Sequence, residues 1–207
     1  MNFQFDESVA VRYKSMPQKV RVMSESWIIN NAFCPCCGNE HISKMKNNLP
    51  VADAHCDNCG EIFELKSTKN SIGARITDGE YYKMIERITS NLNPQLFVMR
   101  YSAMLSVTDL TLIPKFFFTP DIIEKRKPLS NTARRAGWVG CNILYKKIPT
   151  QGKISIVRNG EEIQIEEVVR RYNKIKKLHT KNLKQYGLRN IHIARNLQIC
   201  RRSRSKA

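Results

Sequence analysis

Long apolar runs are missing from this chain of 207 residues. A helix needs about 20 consecutive apolar residues to cross a bilayer, so the sequence predicts no membrane span. The first residues, MNFQFDESVAV, also lack the basic region and the apolar stretch of a secretory signal peptide. Internal repeats are absent as well. A chain of this length can bury one sizeable core, and we expect a single domain.

Acidic residues are absent from the C-terminal end. The whole chain carries 35 Lys plus Arg against 18 Asp plus Glu, and 13 of the basic residues lie in residues 170–207. Residues 1–169 are therefore nearly balanced in charge. We divide the chain into a body, residues 1–180, and a basic tail, residues 181–207. The tail is either a segment that attracts phosphate backbones without reading sequence, or a solvated end.

Cysteines, by contrast, occur in an informative pattern. Four of the seven form two Cys-x-x-Cys pairs with eighteen residues between the pairs. The pairs are Cys34/Cys37 and Cys56/Cys59. This spacing is typical of a four-thiolate zinc site. Gly38 and Gly60 each follow one pair, where a tight turn favours an unhindered backbone. The alternative interpretation is four buried or disulfide-bonded cysteines.

The other three cysteines have less defined roles. Cys36 lies inside the first pair and is an alternative ligand, although the spacing favours Cys34 and Cys37. Cys141 and Cys200 are isolated, and we interpret them as plain thiols. A zinc pattern in a chain without a secretion signal suits a reducing compartment, so we expect a cytoplasmic protein.

A second pattern overlaps the cysteines: Asp53, followed by Glu64 and Lys66 in Glu-x-Lys spacing. The segments VADAH and IFELK flank the second cysteine pair and predict the two strands of a hairpin. Side chains two apart on a strand share a face, so Glu64 and Lys66 would be neighbours, with Asp53 on the partner strand. Two carboxylates can hold one Mg²⁺ and leave positions for water and phosphate. Lys66 would then activate water or stabilise developing charge. The alternative is surface charge on a strand.

Seven short motifs give this pattern a family context. They are YKS at Tyr13, CPCCGN at Cys34, PVAD at Pro50, FELKS at Phe63, DG at Asp78, RKPL at Arg126 and TARRAGWVGCNI at Thr132. With these motifs the chain resembles the DpnI-type restriction endonucleases of the PD-(D/E)xK superfamily, over roughly residues 8 to 175. The last motif is the longest and the most specific.

The resemblance implies a zinc-containing nuclease that uses Mg²⁺ and cuts double-stranded DNA at GATC sites with N6-methyladenine. It implies catalytic residues at Asp53, Glu64 and Lys66, and Mg²⁺ ligands at Asp53, Glu64 and Leu65. The zinc ligands would be the four cysteines of the two pairs. We expect two departures from the family: Cys36 would stand where the family has a non-cysteine residue, and the C-terminal winged-helix domain would be missing, with the basic tail as its remnant or start.

Residues 125–140, KRKPLSNTARRAGWVG, form a second informative stretch with five basic residues. One interpretation is a loop that faces DNA, with Arg134 and Arg135 on phosphates or base edges and Trp138 wedged against a base step. The other is a core tryptophan held by a tight turn, with solvated arginines. The resemblance favours DNA contact, and Lys69 is a further predicted DNA contact.

Helices and strands are predicted to alternate along the body, which indicates an α/β (α+β) core with a mixed sheet and flanking helices. Within residues 18–30, Val20, Met23 and Trp27 share a helical face, and Glu25 is either an outer active-site carboxylate or a solvated residue. Asp78 is a good N-cap for a helix over residues 79–90. The remaining predictions are strands over residues 94–102, 105–114, 153–157 and 161–165, an Asn159-Gly160 turn, and a helix over residues 166–177.

Two functions other than a nuclease remain open from the residues. One is a non-enzymatic zinc-ribbon module that binds DNA or a transcription complex, in which Asp53 and Glu64 are surface charges. The other is a basic protein that binds RNA through its tail.

Overall fold

The computed structural model describes residues 1–45, 52–69 and 71–185, and the rest of the predicted basic tail lies outside these residues. The described helices are α1 (Met16–Asn31), α2 (Tyr81–Thr89) and α3 (Ile165–Gln185). The described strands are β1 (Ser43–Lys44), β2 (Ala54–His55), β3 (Ile62–Thr68), β4 (Ile76–Glu80), β5 (Gln95–Tyr101), β6 (Val107–Ile113), β7 (Ile123–Lys125), β8 (Gly140–Ile143), β9 (Ile154–Arg158) and β10 (Glu161–Glu162).

Seven of these strands form one sheet, in the order β1-β2-β3-β5-β6-β9-β10. Within this sheet β3 and β5 pair in parallel and the other described neighbours pair antiparallel, so the predicted mixed sheet is confirmed. A parallel pair requires a crossover connection, which β4 and α2 provide here. The other three strands form a small sheet in the order β4-β8-β7.

The large sheet is covered on both faces, and its central strand β5 shows why. Side chains alternate along a strand, and both sets are buried in β5: Phe97 and Met99 on one face, Leu96 and Val98 on the other. A nearly continuous apolar run is typical of a strand that is buried on both sides. The sheet therefore separates two apolar cores.

The first core lies between the sheet and α1. Pro17 stands in the first turn of α1, where its missing N–H costs nothing. Met23 and Trp27, which were predicted to share a helical face, are buried, and the Trp27 indole donates a hydrogen bond to the carbonyl of Asn2 at 2.7 Å. Phe63 of β3 stacks on Phe97 with 4.8 Å between ring centroids. Each such buried side chain contributes about 1.5–3 kcal/mol, so α1 is held firmly beside β3.

The second core lies on the opposite face, between the sheet, α2 and the small sheet. Helix α2 begins at Tyr81 with Glu80 in the N-cap position, so the prediction that Asp78 caps this helix is wrong. Asp78 instead lies in β4, where it pairs with Cys141 of β8. The local sequence favoured a cap, but pairing with a strand some sixty positions later in the chain overrides that preference.

The last described elements of the chain are the β9–β10 hairpin and helix α3. Asn159 and Gly160 both have positive φ values, 53° and 77°, as a tight hairpin turn between β9 and β10 requires. The predicted strand over residues 161–165 is shorter than expected, because α3 begins at Ile165. None of the helices in the described part of the chain is long and apolar enough to span a membrane.

Candidate active site and metal cluster

The two Cys-x-x-Cys pairs form two turns of the same geometry. In the first, the Gly38 N–H donates to the Cys34 carbonyl at 2.8 Å, and in the second the Gly60 N–H donates to the Cys56 carbonyl at 2.9 Å. Both glycines have φ values in the left-handed region, +82° and +70°, which side chains disfavour. This is the reason why each pair is followed by glycine.

The turns bring four sulfur atoms together, all within 4.8 Å of one another. The closest pairs are Cys34–Cys59 and Cys37–Cys56, each with 3.7 Å between sulfurs. A tetrahedral ion with Zn–S bonds of about 2.3 Å would set its ligand sulfurs about 3.8 Å apart. The four predicted ligands therefore form a cluster that could hold a metal ion of that size. Cys36, the alternative ligand, lies outside the cluster.

One thiol of the cluster is set up to ionise. Partial burial of Cys37 opposes its ionisation, but the Asn58 side-chain amide donates to its sulfur at 3.5 Å and outweighs this effect together with the backbone at Asn39. The result lowers the pKa of Cys37 to about 7. The pKa values of the other three thiols are raised, that of Cys34 mainly by its hydrogen bond with Cys36 and those of Cys56 and Cys59 mainly by burial. Metal ligands must be thiolates, so a metal ion would have to displace the protons of these three thiols to bind.

The side chain of Cys36 contacts a buried polar network under the cysteine hairpin. The Gln95 side-chain amide, which is fully buried, donates to the Tyr172 hydroxyl of α3 and to Glu61 Oε2, both at 3.0 Å. Lys115 Nζ lies 2.8 Å from the same Glu61 oxygen. Burial, followed by the neighbouring Cys36 thiol, raises the pKa of Tyr172. No sequence pattern indicated this network, which connects α3 to the hairpin.

At the candidate active site, the edge of β3 that faces β2 has no strand partner among the described residues. Strand β2 pairs with β3 only through Ala54 and His55, so β3 has no strand partner on this side beyond that point among the described residues. Asp53 fills the gap: its Oδ2 accepts a hydrogen bond of 2.7 Å from the Leu65 N–H. Because the N–H and C=O of a strand residue point to the same side, the Leu65 carbonyl shares this open edge with the Asp53 carboxylate.

Glu64 and Lys66 are neighbours on β3 as predicted, and two further charged residues join them. Lys66 Nζ lies 2.7 Å from Glu64 Oε1 and 2.7 Å from Asp78 Oδ1. An Arg87 nitrogen of α2 lies 2.5 Å from Glu64 Oε2. The Glu64 and Asp78 side chains are only 10% and 6% exposed. Two carboxylates and two cations therefore form a nearly buried quartet with no net charge.

Burial and the charges of the neighbouring side chains act in opposite directions on the pKa of Glu64 and on that of Lys66. Burial raises the pKa of Glu64, and the positive charges of Lys66 and Arg87 oppose that rise. Burial alone would lower the pKa of Lys66, but the charges of Glu64 and Asp78 outweigh it and raise that pKa above its usual value. Lys66 is therefore a cation at neutral pH. Sequence reasoning missed Arg87 and this role of Asp78, because neither lies at a recognised spacing from Lys66; the one sequence signal was the DG motif at Asp78.

A cleft of about 970 Å³ runs along the open edge of β3 and reaches α1. Asp53, Glu64, Leu65, Lys66 and Lys69 all line it, so the predicted catalytic and Mg²⁺-binding residues and one predicted DNA contact meet in one place. The cleft-facing side of α1 adds Arg21 and Glu25, which form an ion pair at 2.6 Å. The carboxylates of the cleft can bind a metal ion and its cations can bind a phosphate group.

The other predicted DNA contacts lie on a separate loop, between β7 and β8, and do not line this cleft. Arg134 and Arg135 are exposed, and the Arg135 guanidinium lies 4.6 Å from the centre of the Trp138 ring. The Trp138 ring packs on Gly140, where an added Cβ would lie 2.8 Å from it. The indole nitrogen is buried without a hydrogen-bond partner. The loop thus combines features of both interpretations, a packed tryptophan and exposed arginines, one of which lies over the tryptophan ring.

Comparison with known proteins assigns this chain to a family. The family model described as "DpnI: Dam-replacing family" matches residues 1–181. The chain belongs to the DpnI family. Membership supports a restriction nuclease as the general class of this protein. Among solved structures, a "Restriction endonuclease in complex with substrate DNA" superposes with a TM-score of 0.43 and 14% identity, over 83% of this chain and 86% of that one.

The DpnI-family match spans every feature described above. Residues 1–181 include the cysteine cluster, the open edge of β3, the charged quartet and the β7–β8 loop. The match ends within α3.

Proposed function

We propose that this DpnI-family protein is a methyl-directed, Mg²⁺-dependent endonuclease that hydrolyses double-stranded DNA at GATC sites containing N6-methyladenine. The observation that supports this proposal best is the open edge of β3. There Asp53, Glu64 and Lys66 line one cleft, in a chain of a restriction-nuclease family. Its Asp and Glu-x-Lys positions are those that the resemblance assigned to catalysis.

The residues at this edge fit a magnesium ion. Mg²⁺ prefers oxygen ligands from one or two carboxylates and keeps several waters. Asp53 and Glu64 would supply the carboxylates and Leu65 a carbonyl oxygen. Both Glu64 oxygens contact cations, Oε1 with Lys66 and Oε2 with Arg87, so a metal ion would compete with these ion pairs for the carboxylate. When bound, Mg²⁺ would lower the pKa of water and neutralise charge on the phosphate.

Lys66 is the proposed partner of the attacking water and the phosphate. Its ammonium is a cation at neutral pH, so it would position the water and stabilise negative charge on the phosphate rather than remove a proton. Lys69 and Arg21, which also line the cleft, would attract the neighbouring phosphates. Glu25 is held by Arg21 and would act at the rim of the site rather than on the reacting phosphate.

Zinc is the ion we propose for the cysteine cluster. The sulfur spacing suits its tetrahedral radius, and four thiolates leave no position for a substrate, so its role would be structural. The second cysteine pair lies between Asp53 and Glu64 in the chain, and zinc would therefore fix the hairpin that carries both. Thiolates need a reducing environment, which supports a cytoplasmic location.

Methyl recognition would come from the β7–β8 loop. The N6-methyl group of adenine lies in the major groove, where the arginines of this loop would contact base edges or phosphates. Trp138 would supply the apolar surface for the methyl group. A one-carbon difference in a pocket gives about 1–3 kcal/mol, which is roughly ten- to two-hundredfold discrimination. A protein that reads the methyl group through this loop alone would therefore discriminate within that range.

The decisive experiment digests one plasmid prepared from adenine-methylating and from non-methylating hosts, with Mg²⁺ and at matched salt. We expect cleavage of the methylated plasmid at GATC, and no cleavage by an Asp53→Asn control. Equal rates on both plasmids would reject methyl direction and leave a nuclease. DNA binding without any Mg²⁺-dependent cleavage would favour the non-enzymatic zinc-ribbon module instead.

A further inference from the structure

Lys66 has two carboxylate partners, and they differ in what else they can do. Glu64 lines the cleft and is a proposed ligand of the magnesium ion. Asp78 does not line the cleft, and its side chain is only 6% exposed. Glu64 Oε1 and Asp78 Oδ1 each lie 2.7 Å from Lys66 Nζ. The ammonium is therefore shared between a carboxylate that faces the substrate and one that lies behind it.

Asp78 is held in place independently of Lys66. Its backbone pairs with Cys141 in the small sheet, and its Oδ1 accepts a further hydrogen bond of 2.6 Å from the Gly79 N–H. Its other oxygen, Oδ2, is buried without a hydrogen-bond partner. A buried carboxylate is costly unless a cation neutralises it, and Lys66 is the cation that does so here. The ion pair between Asp78 and Lys66 therefore does not depend on whether Glu64 also contacts Lys66.

A metal ion would change the balance in the quartet. Mg²⁺ on Glu64 would compete with Lys66 for the same carboxylate and would repel its ammonium. Without a second anion Lys66 would either block the metal or move away from it. We propose that Asp78 is a positioning residue that retains the Lys66 ammonium beside the reacting phosphate when the metal ion takes Glu64. This inference rests on the proposed function, and it adds a residue to which no role has been assigned.

The test uses the full chain with zinc bound and three variants: Asp78→Asn, Lys66→Met and the double variant. Asparagine keeps the shape of Asp78 and an acceptor for the Gly79 N–H but loses the charge. Glu124→Gln is the matched control, since Glu124 also lies in the small sheet, next to β8, and its pairing with Arg75 is exposed. Zinc content and thermal unfolding would show that each variant is folded.

The first readout is metal binding without DNA, measured as Mn²⁺ affinity by electron paramagnetic resonance. In Asp78→Asn, Lys66 pairs with Glu64 alone and competes better with the ion, so the dissociation constant should rise several-fold, with no change in Glu124→Gln. An Asp78→Asn protein that binds Mn²⁺ as the wild type does would overturn the inference. A wild type that neither binds Mn²⁺ nor cuts DNA would overturn the proposed function as well.

The second readout is single-turnover cleavage at saturating metal and DNA. Asp78→Asn should be slower by about tenfold, the difference between a charged and a neutral hydrogen bond, with an unchanged KM for DNA. Lys66→Met should lose at least about a hundredfold. Because Asp78 acts through Lys66, its substitution should change the Lys66→Met rate by less than about twofold. Losses that multiply in the double variant would show that Asp78 acts on the fold and not through Lys66.

Discussion

Asp53 has two separable roles, and two substitutions distinguish them. Its carboxylate is the proposed metal ligand, and its Oδ2 is also the acceptor for the Leu65 N–H at 2.7 Å on the open edge of β3. Asp53→Asn keeps an acceptor oxygen and removes the charge, whereas Asp53→Ala removes both. Loss of a metal ligand affects several kcal/mol of charge stabilisation, so both variants should cut DNA at least about a hundredfold more slowly.

The stabilities of the two variants should differ. An unsatisfied, partly buried N–H costs about 1–3 kcal/mol, so Asp53→Ala should lose that much free energy of unfolding relative to Asp53→Asn. Urea unfolding in a zinc-containing buffer without added Mg²⁺ measures this difference, and binding to methylated DNA in Ca²⁺ checks that both variants still recognise the substrate. Wild-type cleavage by Asp53→Asn would disprove the active site, and equal stability of the two variants would disprove the role of the Leu65 hydrogen bond.

Three further outcomes follow from the structure. Cys56→Ser should lose bound zinc and cleavage together, since the cluster fixes the hairpin with Asp53 and Glu64; elemental analysis that finds no zinc in the wild-type protein would contradict this. Tyr172→Phe removes one buried hydroxyl and should cost about 1 kcal/mol in urea unfolding, whereas Tyr82→Phe on the surface should cost less than about 0.5 kcal/mol. Deleting the tail, residues 181–207, which contain eight Lys or Arg and no acidic residue, should weaken DNA binding and flatten its salt dependence while cleavage persists; an unchanged salt slope would show that the tail does not contact DNA.

Local patterns in the sequence predicted the parts of this site that lie close together in the chain. The Cys-x-x-Cys turns and their glycines follow from the geometry of one short loop, and the β2–β3 hairpin brings Asp53, the residue before β2, beside β3, where its side chain accepts from the Leu65 N–H. Helix α1 was visible in the spacing of Met23 and Trp27, because an apolar face with helical periodicity needs no knowledge of its partner.

The parts that were missed depend on contacts between distant segments. Asp is a residue type that commonly caps helices, but Asp78 lies next to Lys66 because β4 pairs with β8. Arg87 reaches Glu64 from α2, at no recognisable spacing from the Glu-x-Lys motif. For the β7–β8 loop, the sequence left two interpretations of Trp138, and its packing on Gly140 beside exposed arginines shows that a tryptophan can be both packed and next to a basic surface.

The parallel pairing of β3 with β5 has a consequence for how the protein is made. Phe63 can meet Gln95 only after the whole connection through β4 and α2 has been synthesised and folded, whereas the cysteine hairpin needs only contacts between residues 34 and 59. Contacts between distant segments form slowly, and an unpaired strand edge is a site of aggregation. With zinc bound early, as we propose, one end of β3 would already be fixed by β2 while the chain waits for β5. Supplying zinc and a reducing agent during expression, rather than after purification, should therefore raise the soluble yield.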